Sequence, residues 1–271
     1  MNEIIKRALK EDIGRGDITS DLLIPARKVK AILLAKAAGI FCGWPVAEQI
    51  LKHEGIAYKQ KVQDGEPLKK GQIIAELKGD ARKILLIERT TLNFLQRMSG
   101  IATLTAKFVA AVKPTGTRIL DTRKTTPGLR VLEKYAVLCG GGSNHRLGLD
   151  DMILVKDNHL KLVGSWQTAV SRLKHKPKNM KVEIEAENLK QVKEILKTGI
   201  ADIILLDNMD DGVLRQAIKM IRQQGPKPLI EISGKVTLAN VKKYAGLGAD
   251  RISIGALTHS ATALDISLEI I

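Results

Sequence analysis

With 271 residues, 44% of them hydrophobic, the chain can bury one large core or two modest ones, and with 3% aromatics and no apolar run of bilayer length a membrane span is excluded. Lys and Arg number 44 against 29 Asp and Glu, a formal charge of +15, so the chain draws anions, whether phosphates, small polyacids or nucleic acid. Cys42 and Cys139 are the only cysteines and have no second Cys or His at ligand spacing, which argues against a disulfide framework or a zinc site.

Residues 3–11 carry Ile4, Ile5, Ala8 and Leu9 at helical spacing and predict a short amphipathic helix. Acidic groups interrupt this stretch, so no secretory signal is read and a cytoplasmic protein is expected. Asp17, Thr19 and Ser20 follow Gly14 and Gly16 as cap-type residues. Val29–Ala37 is apolar enough for a strand, Gly39 and Gly43 break it, and Pro45–Leu51 reads as a helix opening with proline. A β-rich portion runs from Ile56 to Leu77 with turns at Asp64-Gly65 and Lys70-Gly71. Its DGEPLKKGQIIAEL is similar to half of a biotinyl or lipoyl carrier, but the modified hairpin-tip lysine is missing, so scaffold is expected.

From Lys83 to Val112 the pattern is helical, and Gly100 is expected to divide it into two helices. Arg89, Asn93 and Arg97 form one polar stripe, which an ordinary solvated face would also produce. Lys113-Pro114 and Gly116 mark a boundary, giving a first domain over 1–113, to which the tail 264–271 could return, and a second over 114–263. Beyond it, short apolar strands alternate with loops and helices. The strands read are Arg118–Asp121, Met152–Val155, Val182–Glu185, Asp202–Leu206, Pro228–Ile232 and Arg251–Ile254, with helices at 188–198, 211–223 and 238–245. Six such βα units favour a closed or nearly closed barrel over an open sheet. The tail from Ser260 is helical in spacing at first and then apolar.

The chemistry concentrates where strands end, the usual place for it in a parallel α/β protein. Arg123 and Lys124 leave the first of these strands together, and adjacent cations repel unless an anion lies between them. Lys156 ends the second strand, Glu185 shares a strand face with Glu183, Asp207 ends the fourth, Ser233 and Gly234 the fifth and Gly255 the sixth. Carboxylates beside a phosphate repel it unless a divalent cation intervenes, so Glu185 and Asp207 imply Mg²⁺. The glycines let backbone N–H groups approach a phosphate, and His145 and Arg146, after Gly140 to Gly142 and Asn144, add donors. Each feature has a plainer reading: Asp207 alone would equally cap a helix, Gly140 to Gly142 could be a flexible turn, His159 could cap or pack, and His53, His175 and His259 read as surface or scaffold.

EDIGRGDIT, ERTTLNFLQRMSGIAT, DTRKTTPGLRVLEKYAV, GGGSNHRLGLDDMILVKDNH, VEIEAEN, LLDNM, EISG and ISIGALTHSATALDISL together resemble the quinolinate phosphoribosyltransferases, nearly end to end. The resemblance implies an N-terminal α/β sandwich domain joined to an incomplete TIM-like α/β barrel, in a homodimer or higher homo-oligomer. It implies that Arg123, His145, Arg146 and Lys156 bind the carboxylates of quinolinate with Lys124 in the same pocket, that Thr122 is substrate-binding, and that Arg97 is donated by the partner subunit. Glu185 and Asp207 would hold Mg²⁺ and the ribose hydroxyls of phosphoribosyl pyrophosphate, and Ser233, Gly234 and Gly255 its phosphates; Lys124, Lys156, Glu185 and Asp207 would carry catalysis. Lys235 and Thr262 depart from the family pattern. A nicotinate phosphoribosyltransferase is the nearest rival, though one carboxylate would leave part of the cationic pocket unpaired. A nucleic-acid binder is disfavoured because no aromatic stacking cluster accompanies the charge.

Overall fold

A computed structural model describes residues 2–271, which group into two compact units. In chain order the elements begin with α1 (Glu3–Ile13), α2 (Ile18–Leu23), β1 (Lys28–Ala35), β2 (Gly39–Ile40), α3 (Trp44–Glu54), β3 (Ala57–Gln60), β4 (Pro67–Leu68), β5 (Ile73–Asp80) and α4 (Ala81–Val112). A single 3₁₀ turn then leads to β6 (Arg118–Leu120), α5 (Arg130–Cys139), β7 (Ile153–Val155), α6 (Asp157–Val163) and α7 (Trp166–Leu173). The chain continues through β8 (Val182–Ala186), α8 (Leu189–Thr198), β9 (Ile203–Asp207), α9 (Asp211–Arg222), β10 (Leu229–Ser233), α10 (Val241–Ala245), β11 (Arg251–Ser253), α11 (Ala256–His259) and β12 (Ile266–Ile270).

The first unit takes in the chain up to Ala106, Thr125–Gly141 and Ala256–Ile271. Its antiparallel sheet has the order β12-β1-β5-β3, with Ala31, Leu33 and Ala35 of β1 buried in alternation. At the N-terminus the Asn2 side chain accepts from Ile4 N, and Ile5 and Leu9, one turn apart, are the buried pair of α1. Asp17 caps α2 through Ser20 N. Here the tail departs from expectation. Instead of continuing as a helix past Ser260, it runs extended into β12, where Ile266–Ile270 pairs antiparallel with Ala31–Ala35. An unpaired β1 edge would leave a row of backbone donors and acceptors to satisfy, and the apolar tail meets that need.

A second correction concerns α4, which is one helix of 32 residues, about 48 Å long, with no break at Gly100. Gly100 serves close approach: a Cβ there would collide with the Thr262 carbonyl oxygen. The expected division at 113/114 also differs from the observed grouping, because α5 belongs to the first unit. Arg97 of α4 pairs with Glu133, and Tyr135 reaches Asp64. The sequence pattern hid α5 because its polarity is inverted: Glu133 and Lys134 are 1% exposed, while Val131 is 59% and Leu138 48% exposed. Helices α6 and α7 were missed too, since between them they bury only Ala169.

The second unit, Lys107–Lys124 with Gly142–Gly255, holds a six-stranded sheet in the order β6-β11-β10-β9-β8-β7. Every pairing is parallel. Ile184, Ile204, Leu206, Ile230, Ile232 and Ile252 are all but fully buried, as expected of strands covered on both faces. The flanking helices are amphipathic; in α9, Leu214, Ala217, Ile218 and Ile221 are buried at the spacing of one helix face. The sheet does not close, because β6 and β7 remain its edges, so the barrel is incomplete.

Gly→Ala inside a helix ordinarily stabilises by about 0.5–1 kcal/mol. Gly100→Ala is expected to do the reverse and destabilise by about 1–3 kcal/mol, the usual cost of overpacking. Urea unfolding of the two proteins measures the sign, and a stabilised variant would refute the close approach.

Candidate functional site

Odd-numbered positions of β8 to β11 share the inner face, as the two-residue period requires, and at the strands' C-terminal ends they meet the loops after β6 and β7. The result is a cavity of about 510 Å³ within the second unit. Ten of the expected residues line it: Thr122, Arg123, Lys124, His145, Arg146, Lys156, Glu185, Asp207, Ser233 and Gly234. Arg97 and Gly255 are outside this lining. Arg97 lies in the first unit, 30% exposed, and its guanidinium donates to Glu133 at 2.7 Å, to the Ala261 carbonyl at 3.2 Å, to Thr126 Oγ1 at 3.4 Å and to the Thr258 carbonyl.

Local geometry explains how the cations are aimed. Asp121, fully buried at the end of β6, accepts from His145 N at 2.9 Å, and Ser143 exchanges backbone hydrogen bonds with Ile119 and Asp121. That ties the loop bearing His145 and Arg146 to the loop bearing Arg123 and Lys124. Arg146 Nη1 donates to the Met152 carbonyl at 3.1 Å. Burial, and then the positive charge of Arg123, lower the Arg146 pKa, as expected of two guanidinium groups lining one cavity. Arg123 Nε is buried with no hydrogen-bond partner. An orphaned charged donor is costly unless an anion completes it.

Also in the lining, Lys156 Nζ lies 2.6 Å from Glu185 Oε2, and Asn208 Nδ2 donates to Asp207 Oδ2 at 2.6 Å. Glu185 and Asp207 leave adjacent parallel strands as two oxygen donors, and the lining contains no thiol. Gly234, at φ 92°, sits where a Cβ would collide with the Asn208 side chain, so this turn admits only glycine. His159 caps α6, its Nδ1 accepting from Lys156 N at 2.9 Å.

Beneath the cations lies a layer the sequence reading missed. His145 Nε2 is 3.0 Å from Glu183 Oε2 and 3.4 Å from Glu231 Oε1, and Arg251 Nε is 3.2 Å from Glu231 Oε2. Both glutamates are fully buried. The signal was available: in IEIS, Glu231 precedes Ser233 by two and must share its face, as Glu183 does with Glu185. Burial lowers the His145 pKa, but hydrogen bonds and charge from Glu183 and Glu231 outweigh it and raise it to about 9. Arg146 N lies 2.8 Å from His145 Nδ1, a contact that favours the neutral ring. A neutral hydrogen bond is worth about 1 kcal/mol net, whereas a charge pair at about 4 Å and an effective dielectric near 20 is worth about 4 kcal/mol. Charge from the two glutamates therefore favours the protonated ring. Burial raises the Glu183 pKa, and His145 opposes the rise.

Comparison with known proteins bears on both units. The description "Quinolinate phosphoribosyl transferase, N-terminal domain" matches residues 17–99, and the corresponding C-terminal domain matches 101–269. A probable nicotinate-nucleotide pyrophosphorylase [carboxylating] of Methanocaldococcus jannaschii is 43% identical over 99% of this chain and 96% of its own. The protein of the same description from Bacillus subtilis is 40% identical over 100% of this chain and 93% of its own. Among solved structures, nicotinate-nucleotide pyrophosphorylase from Ehrlichia chaffeensis superposes with a TM-score of 0.95 at 40% identity, covering 99% of this chain and 98% of that one.

His145 is predicted to keep its proton through neutral pH and to lose it near pH 9. A pKa raised above the unfolded value of about 6.5 contributes stability that is complete below about pH 6.5 and is lost as pH rises through about 9. Ring NMR of the folded protein reads this directly. An imidazole already neutral at pH 7.5 would contradict the charge argument.

Proposed function

The chain belongs to the quinolinate phosphoribosyl transferase family, and from that membership we infer that it transfers the phosphoribosyl group of phosphoribosyl pyrophosphate to quinolinate with decarboxylation, yielding nicotinate mononucleotide, pyrophosphate and CO₂ in NAD biosynthesis. The observation that carries the reading at the level of residues is the orphaned Arg123 Nε, held beside Arg146 in a cavity that is also lined by Glu185 and Asp207. A pyridine dicarboxylate supplies the missing anions. Nicotinate, with one carboxylate, would leave buried positive charge unpaired.

Binding brings together two anionic substrates, so their repulsion must be overcome before the ring nitrogen can approach C1 of the ribose. In this reading Arg123, Lys124, His145 and Arg146 hold quinolinate, with Thr122 positioning the loop by accepting from Lys124 N. Ser233, Gly234 and Gly255 meet the phosphates of the second substrate, the glycines having no side chain to keep a phosphate from the backbone. Glu185 and Asp207 fit Mg²⁺ by donor type and by their placement at adjacent strand exits, and grip the ribose hydroxyls. When bound, Mg²⁺ neutralises charge building on the departing pyrophosphate. Lys124 and Lys156 add fixed positive charge to the cavity, Lys156 being oriented by Glu185. No protein nucleophile is required. Once N-ribosylated, the positively charged ring accepts the electrons released as the 2-carboxylate departs.

A homodimer or higher homo-oligomer, with Arg97 reaching a partner's site, belongs to the same proposal. Ile18, Leu22 and Leu23 of α2 are 74%, 79% and 72% exposed, apolar surface that favours burial against another copy. Among the described residues no helix is long and apolar enough to cross a membrane. The same proposal takes the protein as a cytoplasmic enzyme acting on small molecules and not on nucleic acid, with Arg123, Lys124, Arg146, Lys156 and Lys235 lining one cavity.

The deciding experiment incubates the purified protein with quinolinate, phosphoribosyl pyrophosphate and Mg²⁺ and assays CO₂ and nicotinate mononucleotide. Arg146→Ala removes a charged fork from the cavity and is predicted to lower kcat/KM by at least about a hundredfold with an unchanged circular dichroism spectrum. Near-wild-type turnover would reject its assignment. The 3-carboxylate is predicted to be gripped more tightly than the 2-carboxylate, because firm binding of the leaving group would stabilise the ground state. A crystal complex in which the denser shell of cations surrounds the 2-carboxylate would reverse that order.

A further inference from the structure

The fold brings the two cysteines together, well away in sequence and outside the lining of the cavity. Cys42 Sγ, Cys139 Sγ and a carboxylate oxygen of Asp64 all lie within 4.8 Å of one another. Cys42, just before α3, is buried; Cys139, the last residue of α5, is half-buried. One helix fixes both backbones. Ser99 Oγ of α4 accepts from Cys42 N at 3.0 Å and donates to the Cys42 carbonyl at 3.1 Å. One turn further along α4, the Ala102 carbonyl and Thr105 press against Gly140, next to Cys139, leaving no room for a side chain. Ser99 and Ala102 share a helix face, so the two sulfurs are presented to each other from one rigid template.

The third member of the cluster is already employed. Asp64 Oδ1 accepts from Trp44 N at 3.0 Å, and Oδ2 accepts from Gly43 N at 3.1 Å and from Tyr135 Oη at 2.9 Å. It secures the start of α3 and ties α5 to it, so it is poorly placed to serve as a metal ligand. Metal binding would also need both thiols ionised beside a carboxylate. The hydrogen bond to Cys139, burial and nearby negative charge push the Cys42 thiol well above its ordinary range, while the same hydrogen bond pulls Cys139 down. The half-buried sulfur is thus the one prepared to react.

We propose that Cys42 and Cys139 form an oxidisable thiol pair that closes to an intramolecular disulfide on reaction with a hydroperoxide. Cys139 sulfur attacks the peroxide, the O–O bond breaks, and Cys139 becomes a sulfenic acid as the alcohol (water, from hydrogen peroxide) leaves. Cys42 sulfur then attacks the sulfenic sulfur, and its proton departs with the hydroxyl as water. Two thiols are oxidised by two electrons and one peroxide is reduced. Moving the sulfurs to bonding distance, about 2.05 Å, takes a displacement of about the size that side-chain rotation supplies. A pair of this kind in a reducing compartment is transient and signals oxidant, which distinguishes it from a permanent staple.

The chain has no other cysteines, so thiol counting is unambiguous. The reduced full-length protein is treated with one molar equivalent of hydrogen peroxide, quenched in acid, unfolded, and read by thiol titration and intact mass. The expected wild-type result is loss of both thiols together, a mass lower by two hydrogens, a single-chain band without reductant, and full reversal by dithiothreitol. Cys42→Ser should stop at a Cys139 sulfenic acid trapped by dimedone, and Cys139→Ser should retain its one thiol. The proposal is overturned if both wild-type thiols survive a tenfold excess of peroxide, if one or two oxygens are gained while a thiol remains, or if the cross-link joins two chains. Co-purified zinc that shields the thiols until chelated would overturn it as well.

Discussion

Several like charges are held around one cavity, and much of the second unit can be understood as the means of keeping them there. Two unit charges 4 Å apart at an effective dielectric near 20 repel by about 4 kcal/mol, comparable with the whole margin by which a typical domain is folded. Counter-charges built into the strands offset this. Asp121 anchors the His145 backbone, Glu183 and Glu231 lie under its ring, Arg251 shares Glu231, and Glu185 holds Lys156. These carboxylates stand on strands and at their ends, whereas most of the cations they serve stand on loops. Compensation from below leaves the loop cations facing the cavity, and Arg123 Nε keeps a donor unspent. A substrate with two carboxylates then completes a charge balance that the protein alone leaves open.

The first unit depends in a similar way on a single element. Along little more than one turn of α4, Arg97 binds Glu133, Ser99 binds Cys42 and Gly100 admits the chain at Thr262. The partners come from three segments far apart in sequence, and α4 registers them against one another. This arrangement explains why the unit gathers residues from three parts of the chain. It also explains why the polar stripe of Arg89, Asn93 and Arg97 is not uniform. Arg89 and Asn93 are exposed, whereas Arg97 is drawn into a pair with a carboxylate that is 1% exposed.

What the sequence made legible follows from which signals are local. The strand ends of the second unit could be read because period-two alternation and a polar residue at the exit are both contained within five or six residues. Gly100 and α5 could not be read, since the reason for each lies at a distance. Nothing near Gly100 in sequence announces the Thr262 carbonyl, and nothing within α5 announces that Glu133 and Lys134 face inward while Val131 faces out. The start of the tail was misread as helical for the same cause, the strand character of its apolar end being conferred by an available β1 edge. Glu231 was a different kind of miss. Its position two residues before Ser233 was enough to place it in the site, had the alternation been followed inward from the strand's end.

Backbone strain is distributed along the same lines. Among the described residues, Asn208 at φ 51° and Lys235 at φ 49° are the non-glycine residues with positive φ, and both line the cavity directly after β9 and β10. A left-handed conformation costs an L-residue about 1–2 kcal/mol, and asparagine tolerates it better than lysine does, because its short side chain can hydrogen-bond locally. Asn208 does so, donating to Asp207. Lys235 lacks the short polar side chain that gives asparagine this local hydrogen bond. Glycine at this position would remove the strain and also remove a positive charge from the wall beside Ser233 and Gly234. The strain is thus coupled to the charge, and the backbone departs from the comfort of its residue types within the cavity lining.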